Sequence, residues 1–406
     1  MKVALLCIGD ELLKGATVNT NLAFIGERLL RNGIIPELSL EIPDRRESIL
    51  KALDYAYSTA DTVITSGGLG PTSDDITKDT IAEYFGLPLE QNAALEKHLT
   101  SWWKKLHSGP APLHWERQAR IPAGAEIVPN RFGSAPGIHL ERNGKSIFLL
   151  PGPPAELHPM FEDEMLKKIL EKREEALHAS LTIIVGIGES IVEERTQPLL
   201  RDGISVAYCA SPGLVKLFFT SRDEALLNET TAEAKKIFAG DTLSDGITSL
   251  PAEVLRLLER KKLTLATAES CTGGMISAQL TAIPGSSAAF LGGAATYSND
   301  LKRLFLGVRE TTLAQFGAVS RECATEMVEG ICARTGADAG ISVTGIAGPA
   351  GGTPDKPVGR VYIGVRLHET TRILECNFRG GREQVRMQTA SRALNELRKL
   401  LLEQEP

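Results

Sequence analysis

Residues 263–280 read Leu263-Thr264-Leu265-Ala266-Thr267-Ala268-Glu269-Ser270-Cys271-Thr272-Gly273-Gly274-Met275-Ile276-Ser277-Ala278-Gln279-Leu280. The run 263–267 reads as a short buried strand and 275–280 as a helix, so the small residues between them stand at a strand-to-helix junction with free N–H groups at the helix start. A strand running through a tight turn into a helix is the building unit of an α/β fold. A hydroxyl and a thiol on that turn, at Ser270 and Cys271, occupy a nucleophile's position, and the glycines beside them suit an oxyanion or a phosphate. The same residues also serve as ordinary helix caps, with glycine present for close packing.

The unit recurs toward the start of the chain. Residues 3–8 form a continuous apolar strand, and Asn19 then caps a helix with Leu22, Ile25 and Leu29 on one face before Gly33 ends it. A helix follows Asp44, and the strand 62–66 runs into Gly67-Gly68-Leu69-Gly70-Pro71-Thr72. This βαβα order with buried strands predicts a parallel sheet covered on both faces. A helix rich in Trp and Lys at 95–106 leads to a surface loop at 108–112, and the strand 146–150 stops at Pro151-Gly152-Pro153-Pro154. That turn belongs at the C-terminal edge of the sheet, where open α/β folds bind ligands.

A charged helix at 162–178 reads as a linker. Beyond it lie a strand at 181–185, the turn Gly186-Ile187-Gly188-Glu189, a helix and a strand at 215–220, a small α+β unit with few catalytic groups. A helix from Pro251 opens a last region that again alternates helices and strands. The expected class is therefore α/β, with a doubly wound parallel-sheet domain at 1–170, a small α+β domain at 171–248 and an α/β domain at 249–406.

Composition bounds what these domains do. With 406 residues, 42% hydrophobic and 24% charged, the chain is globular and long enough for two or three cores. A formal net charge of −6 argues against a dedicated nucleic-acid binder. The first apolar run is too short for a signal segment, and no stretch approaches the roughly 20 apolar residues of a membrane span, so a cytoplasmic protein with no membrane partner is expected. Six cysteines, with no CxxC pair and no histidine cluster, suggest neither zinc nor disulfides.

The segment 67–77 joins a glycine-rich turn to paired carboxylates. Gly67, Gly68 and Gly70 let the backbone approach an anion, and Thr72 and Thr77 add hydroxyls. Asp74 and Asp75 would repel a phosphate unless a divalent ion lay between them, as is usual for Mg²⁺. The plainer alternative is that these aspartates cap the helix beginning near Ile76.

Four segments accompany Ser270 near the C-terminus: Thr296-Tyr297-Ser298-Asn299-Asp300-Leu301-Lys302, the glycine-rich strand end 342–349, the loop 351–359, and Phe378-Arg379-Gly380-Gly381-Arg382-Glu383-Gln384-Val385-Arg386. None contains histidine, so a base for Ser270 must be Lys302 or Tyr297. A lysine base must be neutral, which requires burial or a neighbouring cation to lower its pKa from about 10.4. Arg382 is such a cation and a natural partner for a substrate phosphate. Most lysines are merely solvated, and a tyrosine is often a core aromatic with a satisfied hydroxyl.

With Gly9-Asp10-Glu11-Leu12-Leu13, Asn19-Thr20-Asn21, residues 67–77 and 151–154 on one side, and 268–274, 297–302, 344–349, 351–359 and 380–386 on the other, the chain resembles the competence/damage-inducible protein CinA family over essentially its whole length. The resemblance implies a molybdopterin-binding-like N-terminal domain that cleaves ADP-ribose to AMP and ribose 5-phosphate with a divalent metal. It implies a C-terminal amidase, needing no cofactor, that deamidates nicotinamide mononucleotide to nicotinate mononucleotide. It implies a middle module similar to a KH domain, and a homodimer. Carried over by motif, Ser270 is the nucleophile and Lys302 and Tyr297 are its proton-transfer partners. Thr344 and Arg382 are carried over as substrate-binding; the substrate phosphate is expected to meet Arg382 and the turn holding Thr344, Gly345 and Gly348, and the N–H groups near Gly273 and Gly274 are expected to stabilise the oxyanion. The middle turn, Gly186-Ile187-Gly188-Glu189, departs from the GXXG clamp of RNA-binding modules, which speaks against RNA as a partner. A non-catalytic scaffold in DNA uptake or damage response, or an N-terminal domain that only binds a pterin or nucleotide, is the rival reading.

Overall fold

The computed structural model describes residues 1–112, 114–173 and 177–403. The chain divides into two compact units, 1–179 with 220–223, and 180–219 with 224–406. Among the described residues no helix is long and apolar enough to cross a membrane.

The first unit runs β1 (Val3–Ile8), α1 (Asp10–Leu13), α2 (Thr20–Arg31), β2 (Leu38–Ile42), α3 (Arg46–Thr59), β3 (Thr62–Ser66), α4 (Thr77–Tyr84), β4 (Leu89–Gln91), α5 (Ala93–Leu106), β5 (Arg120–Pro122), β6 (Glu126–Val128), β7 (Gly137–Arg142), β8 (Lys145–Leu150), α6 (Pro154–Met160) and α7 (Leu166–Glu171). Its main sheet has the order β2-β1-β3-β8-β7-β6. The first four strands are parallel, and β7 and β6 extend the sheet antiparallel. Every residue of β1 is buried because both faces are covered. Ala4, Leu6 and Ile8 pack with Ile49, Leu53 and Ile81 on one side, while Val3 and Leu5 pack with Ile25, Leu29 and Phe161 on the other. As expected, the Asn19 side chain caps α2 by accepting from Leu22 N–H at 2.9 Å. With β2 on one flank of β1 and β3 on the other, the chain reverses its winding at β1, and the ends of β1 and β3 form the switch point at which open α/β sheets bind ligands.

The second unit runs β9 (His178–Val185), α8 (Glu189–Thr196), β10 (Ile204–Ser211), β11 (Leu214–Ser221), α9 (Glu224–Ile237), α10 (Leu250–Lys261), β12 (Leu265–Glu269), α11 (Met275–Thr281), β13 (Phe290–Ala295), α12 (Asn299–Leu306), α13 (Glu310–Phe316), α14 (Arg321–Thr335), β14 (Ala339–Gly345), β15 (Arg360–Leu367), β16 (Thr370–Asn377) and α15 (Arg382–Glu403). A three-stranded sheet, β10-β11-β9, precedes a five-stranded one, β13-β12-β14-β15-β16. In the larger sheet β13, β12 and β14 are parallel, and β15 and β16 are antiparallel additions. Winding reverses at β12, so the ends of β12 and β14 form the corresponding switch point of the second sheet.

Two elements differ from expectation. The charged segment expected as one helix over 162–178 ends at Glu171, and His178 already belongs to β9; residues 174–176 of that linker lie outside the described residues. The strand expected at 263–267 is Leu265–Glu269, because pairing with β13 and β14 continues through Glu269. Leu263 instead closes the preceding helix, its N–H donating to Leu258 O.

Candidate active sites

Ser270 leaves β12 at the crevice of the second unit. Its N–H donates to Val343 O at 2.9 Å, and Thr296 N–H donates to Glu269 O at 2.8 Å, which fastens the ends of β12, β13 and β14 together. Helix α12 starts at an N-cap, Ser298, whose hydroxyl accepts from Leu301 N–H. One turn in, Lys302 faces inward and is 1% exposed. Its Nζ reaches Ser270 Oγ at 3.0 Å, Thr296 O at 2.8 Å and Tyr297 O at 3.4 Å. Burial lowers the pKa of this ammonium from its ordinary value. Once deprotonated, the amine keeps two hydrogens for the two carbonyls and turns its lone pair to the Ser270 hydroxyl, the geometry of a serine activated by a lysine base.

Cys271 does not compete. Burial, with the Glu269 charge adding to it, pushes its thiol up to about 11, and a thiol rather than a thiolate is a poor nucleophile. Cys323, also buried, is likewise pushed up to about 11 by burial.

Tyr297 and Arg382 meet, but away from the base. Arg382 Nη2 donates to Tyr297 Oη at 2.8 Å and its Nη1 to Gly348 O at 2.8 Å. The tyrosine side chain stands largely exposed, and only its backbone carbonyl touches Lys302. The expected proton relay through this phenol is not assembled here, because the guanidinium holds the hydroxyl.

Thr344 is buried at the end of β14 with its hydroxyl donated to Ala318 O at 2.7 Å, and Gly345 is packed against Arg360 O and Val361. Gly348, at φ +84°, is shaped for its turn.

The turn after Ser270 departs from expectation at the oxyanion hole. Gly273 N–H donates to Ser270 O at 3.0 Å, and Gly274 N–H to Glu269 Oε2 at 3.0 Å, so both expected donors are already engaged. Glu269 Oε2 also takes Ile276 N–H, and Oε1 takes Ser277 N–H and its hydroxyl. A carboxylate of the chain itself thus occupies the start of α11 that sequence reading left open for an anion. Arg386, one turn beyond Arg382, donates to Thr272 O at 2.9 Å and clamps the same turn from α15. Sequence reading missed Glu269 and Arg386. A lone carboxylate at the end of an otherwise uncharged strand, and an arginine at i+4 from Arg382, were the available signals.

In the first unit the loops after β1, β3 and β8 converge. Asn21 Nδ2 donates to Gly152 O at 2.7 Å, and Gly152 lies against Gly67, where an added Cβ would stand 3.7 Å from the Gly67 Cα. Gly67 and Gly68 have φ +102° and +68°, and a Cβ on Gly67 would strike Ile8 O. At Gly68 a Cβ would lie 2.0 Å from Thr77 Oγ1, a buried hydroxyl with no hydrogen-bond partner. The aspartates do not cap α4, whose N-cap, Ile76, offers no side-chain bond. Asp75 Oδ2 instead accepts from Thr72 N–H at 2.9 Å and from the Thr72 hydroxyl, folding the turn over Gly70. Asp74 is exposed.

Asp44, taken from sequence only as the residue ahead of a helix, accepts from Asp10 N–H at 2.9 Å. Its carboxyl is raised, first by burial and then by the charges of Glu11, Asp10 and Asp74 against the pull of that N–H. Among the described residues no three His, Cys, Asp or Glu side chains gather into a ready metal cage. The donor set nevertheless fits a hard divalent ion. Asp44, raised by burial and by its acidic neighbours, would be relieved by a cation, and a Mg²⁺-like ion needs only one or two carboxylates, completing its shell with water and phosphate. Lys78, buried at the start of α4 with Nζ on Arg117 O at 2.6 Å, is pushed down to about 8 by burial.

Residues 247–401 match the family described as CinA C-terminal domain, and residues 4–172 match the probable molybdopterin binding domain. A putative competence-damage inducible protein of Thermoanaerobacter pseudethanolicus is 39% identical over 410 residues, covering 99% of each chain. A CinA-like protein of Dictyoglomus thermophilum is 39% identical over 411 residues, covering 99% of this chain and 100% of its own. Among solved structures, the competence/damage inducible protein CihA from Agrobacterium tumefaciens is 40% identical, covers 40% of this chain and 100% of its own, and has a TM-score of 0.36.

Proposed function

The chain belongs to the CinA family, and from that premise we propose that it is a two-site hydrolase of pyridine nucleotides, deamidating nicotinamide mononucleotide in the second unit and hydrolysing ADP-ribose to AMP and ribose 5-phosphate in the first. The observation that supports it best is the buried Lys302 amine 3.0 Å from Ser270 Oγ. A scaffold has no use for such a pair, and burying an unpaired lysine costs stability that function must justify.

In the amidase, Ser270 Oγ attacks the carboxamide carbon while its proton moves to Lys302 Nζ. The tetrahedral oxyanion collapses as Lys302 returns that proton to the departing ammonia, leaving an ester on Ser270. Water, deprotonated by Lys302, then attacks the ester and releases the carboxylate product and the free serine. This direct route keeps Tyr297 with Arg382, where their exposed edge suits the substrate phosphate. No metal takes part.

In the first unit Asp74 and Asp75, with Asp44 beside them, would hold the divalent ion. When bound, that ion neutralises phosphate charge and polarises the P–O bond. Gly67, Gly68, Gly70, Thr72 and Thr77 line the approach for the diphosphate, with the unpartnered Thr77 hydroxyl as a donor. The protein is proposed to act as a homodimer, without nucleic acid or membrane as a partner.

The test is product analysis on purified protein given each nucleotide. Ser270→Ala should stop ammonia release from nicotinamide mononucleotide by at least about 10³-fold and leave AMP formation from ADP-ribose intact, while Cys271→Ala keeps both. Asp74→Ala with Asp75→Ala should do the reverse, as should a chelator. Ammonia release that survives Ser270→Ala but is lost in Cys271→Ala, or AMP formation that persists in excess chelator, would refute the corresponding half.

A further inference from the structure

Glu269 is 1% exposed, yet all four groups that its carboxylate accepts from are neutral: the N–H groups of Gly274, Ile276 and Ser277 at 3.0, 3.0 and 2.8 Å, and the Ser277 hydroxyl at 2.7 Å. A buried carboxylate without a cation is costly unless its oxygens are saturated by donors, and this one is. Its backbone is the last rung of β12, paired with Ala295 and Val343 and bonded to Thr296 N–H. The side chain therefore ties a rigid strand end to the first turn of α11, and the residues caught between the two anchors are Ser270, Cys271, Thr272 and Gly273. Gly273 and Gly274, at φ +63° and +95°, supply the backbone reversal that the tie requires.

We propose that Glu269 is a positioning residue for Ser270: its carboxylate, by taking up the amide donors at the start of α11, fixes the Ser270–Gly273 turn so that Oγ stays on Lys302. Because the carboxylate fills the helix start, the substrate phosphate is left to the Arg382 side of the crevice. The inference rests on the amidase reading only for the identity of the acyl group.

Glu269→Gln is the discriminating variant. It keeps shape and burial but sets an NH₂ group against N–H donors, so the turn is released on one side. Ammonia release from nicotinamide mononucleotide should show kcat lowered about 30–100-fold, as expected for a small misplacement of a nucleophile, with KM changed less than about threefold. In parallel, labelling of Ser270 in the full chain by a fluorophosphonate, read by intact mass against Ser270→Ala, should slow at least about tenfold. Labelling needs no natural substrate, so labelled wild type without ammonia release counts against the nucleotide assignment alone. Ser277→Ala removes one donor to the carboxylate, and with it the 2.8 Å partner of the Thr267 hydroxyl; it should give a loss in the same direction of about threefold, and it carries the test should Glu269→Gln fail to fold. Wild-type kcat and wild-type labelling in either folded variant would overturn the proposal, as would a loss confined to KM.

Discussion

At the scale of single residues, Lys302 sets the pH behaviour. Burial lowers its pKa in the folded chain, while the unfolded chain has the ordinary value of about 10.4. The folded protein therefore pays for charging this amine at low pH, and the cost disappears as pH rises through the lowered value toward the unfolded one. Lys302→Met should abolish ammonia release, by at least about 10³-fold, and raise the thermal midpoint, by more at pH 6 than at pH 9. Wild-type kcat/KM should rise with pH along an acid limb set by the lowered pKa, since the neutral amine is the base. A Lys302→Met protein less stable than wild type at pH 6 would contradict this account. Ser270 and Lys302 were legible in the sequence because a strand-to-helix turn with a hydroxyl, in a set of segments without histidine, leaves few bases to choose from. Glu269, Asp44 and the engagement of Tyr297 by Arg382 were not, since each depends on which donors the tertiary fold brings to a side chain, and local pattern carries no record of that.

At the scale of elements, the site depends on how closely α12 is pressed against its neighbours. Gly330 lies within α14, and a Cβ there would come 1.9 Å from Leu306 O at the end of α12, against backbone that cannot swing aside. In an open helix Gly→Ala stabilises by about 1 kcal/mol. Here the clash reverses the sign. Gly330→Ala should destabilise by about 1–3 kcal/mol in chemical unfolding and depress ammonia release by displacing the helix that carries Lys302; a stabilised variant with full activity would show that α12 gives way freely. Most parallel strands could be read in advance, because a strand covered on both faces is a continuous apolar run, as in β1 and β3. The antiparallel additions β7, β15 and β16 were not drawn out, and β12 was placed two residues early, since Leu263 and Thr264 are apolar or β-branched enough to pass for strand and only the pairing to β13 and β14 shows where the strand begins.

At the scale of the molecule, the expected homodimer has a physical candidate in the second unit. Strand β13 is the edge of the five-stranded sheet, and Leu291 on it is 51% exposed; α12 shows Leu304 at 66% and Phe305 at 52% exposed. An uncovered edge strand together with bulky apolar side chains is a liability that proteins remove by pairing. The opposite face of α12 buries Lys302 and Leu306, so the surface that would join two copies and the surface that holds the base are the two sides of one helix. Leu304→Glu combined with Phe305→Glu adds charge to the outer face alone. Sedimentation equilibrium should then show a dimer for the wild type and a monomer for the double variant, and Lys302 should remain able to receive the Ser270 proton, so that activity per chain falls only as far as α12 loses its outer support. If the double variant stays dimeric, the exposed leucine and phenylalanine are not the contact and pairing must use another surface; if it becomes monomeric and loses ammonia release while AMP formation from ADP-ribose continues, self-association acts on the amide-cleaving site through the helix that the two functions share.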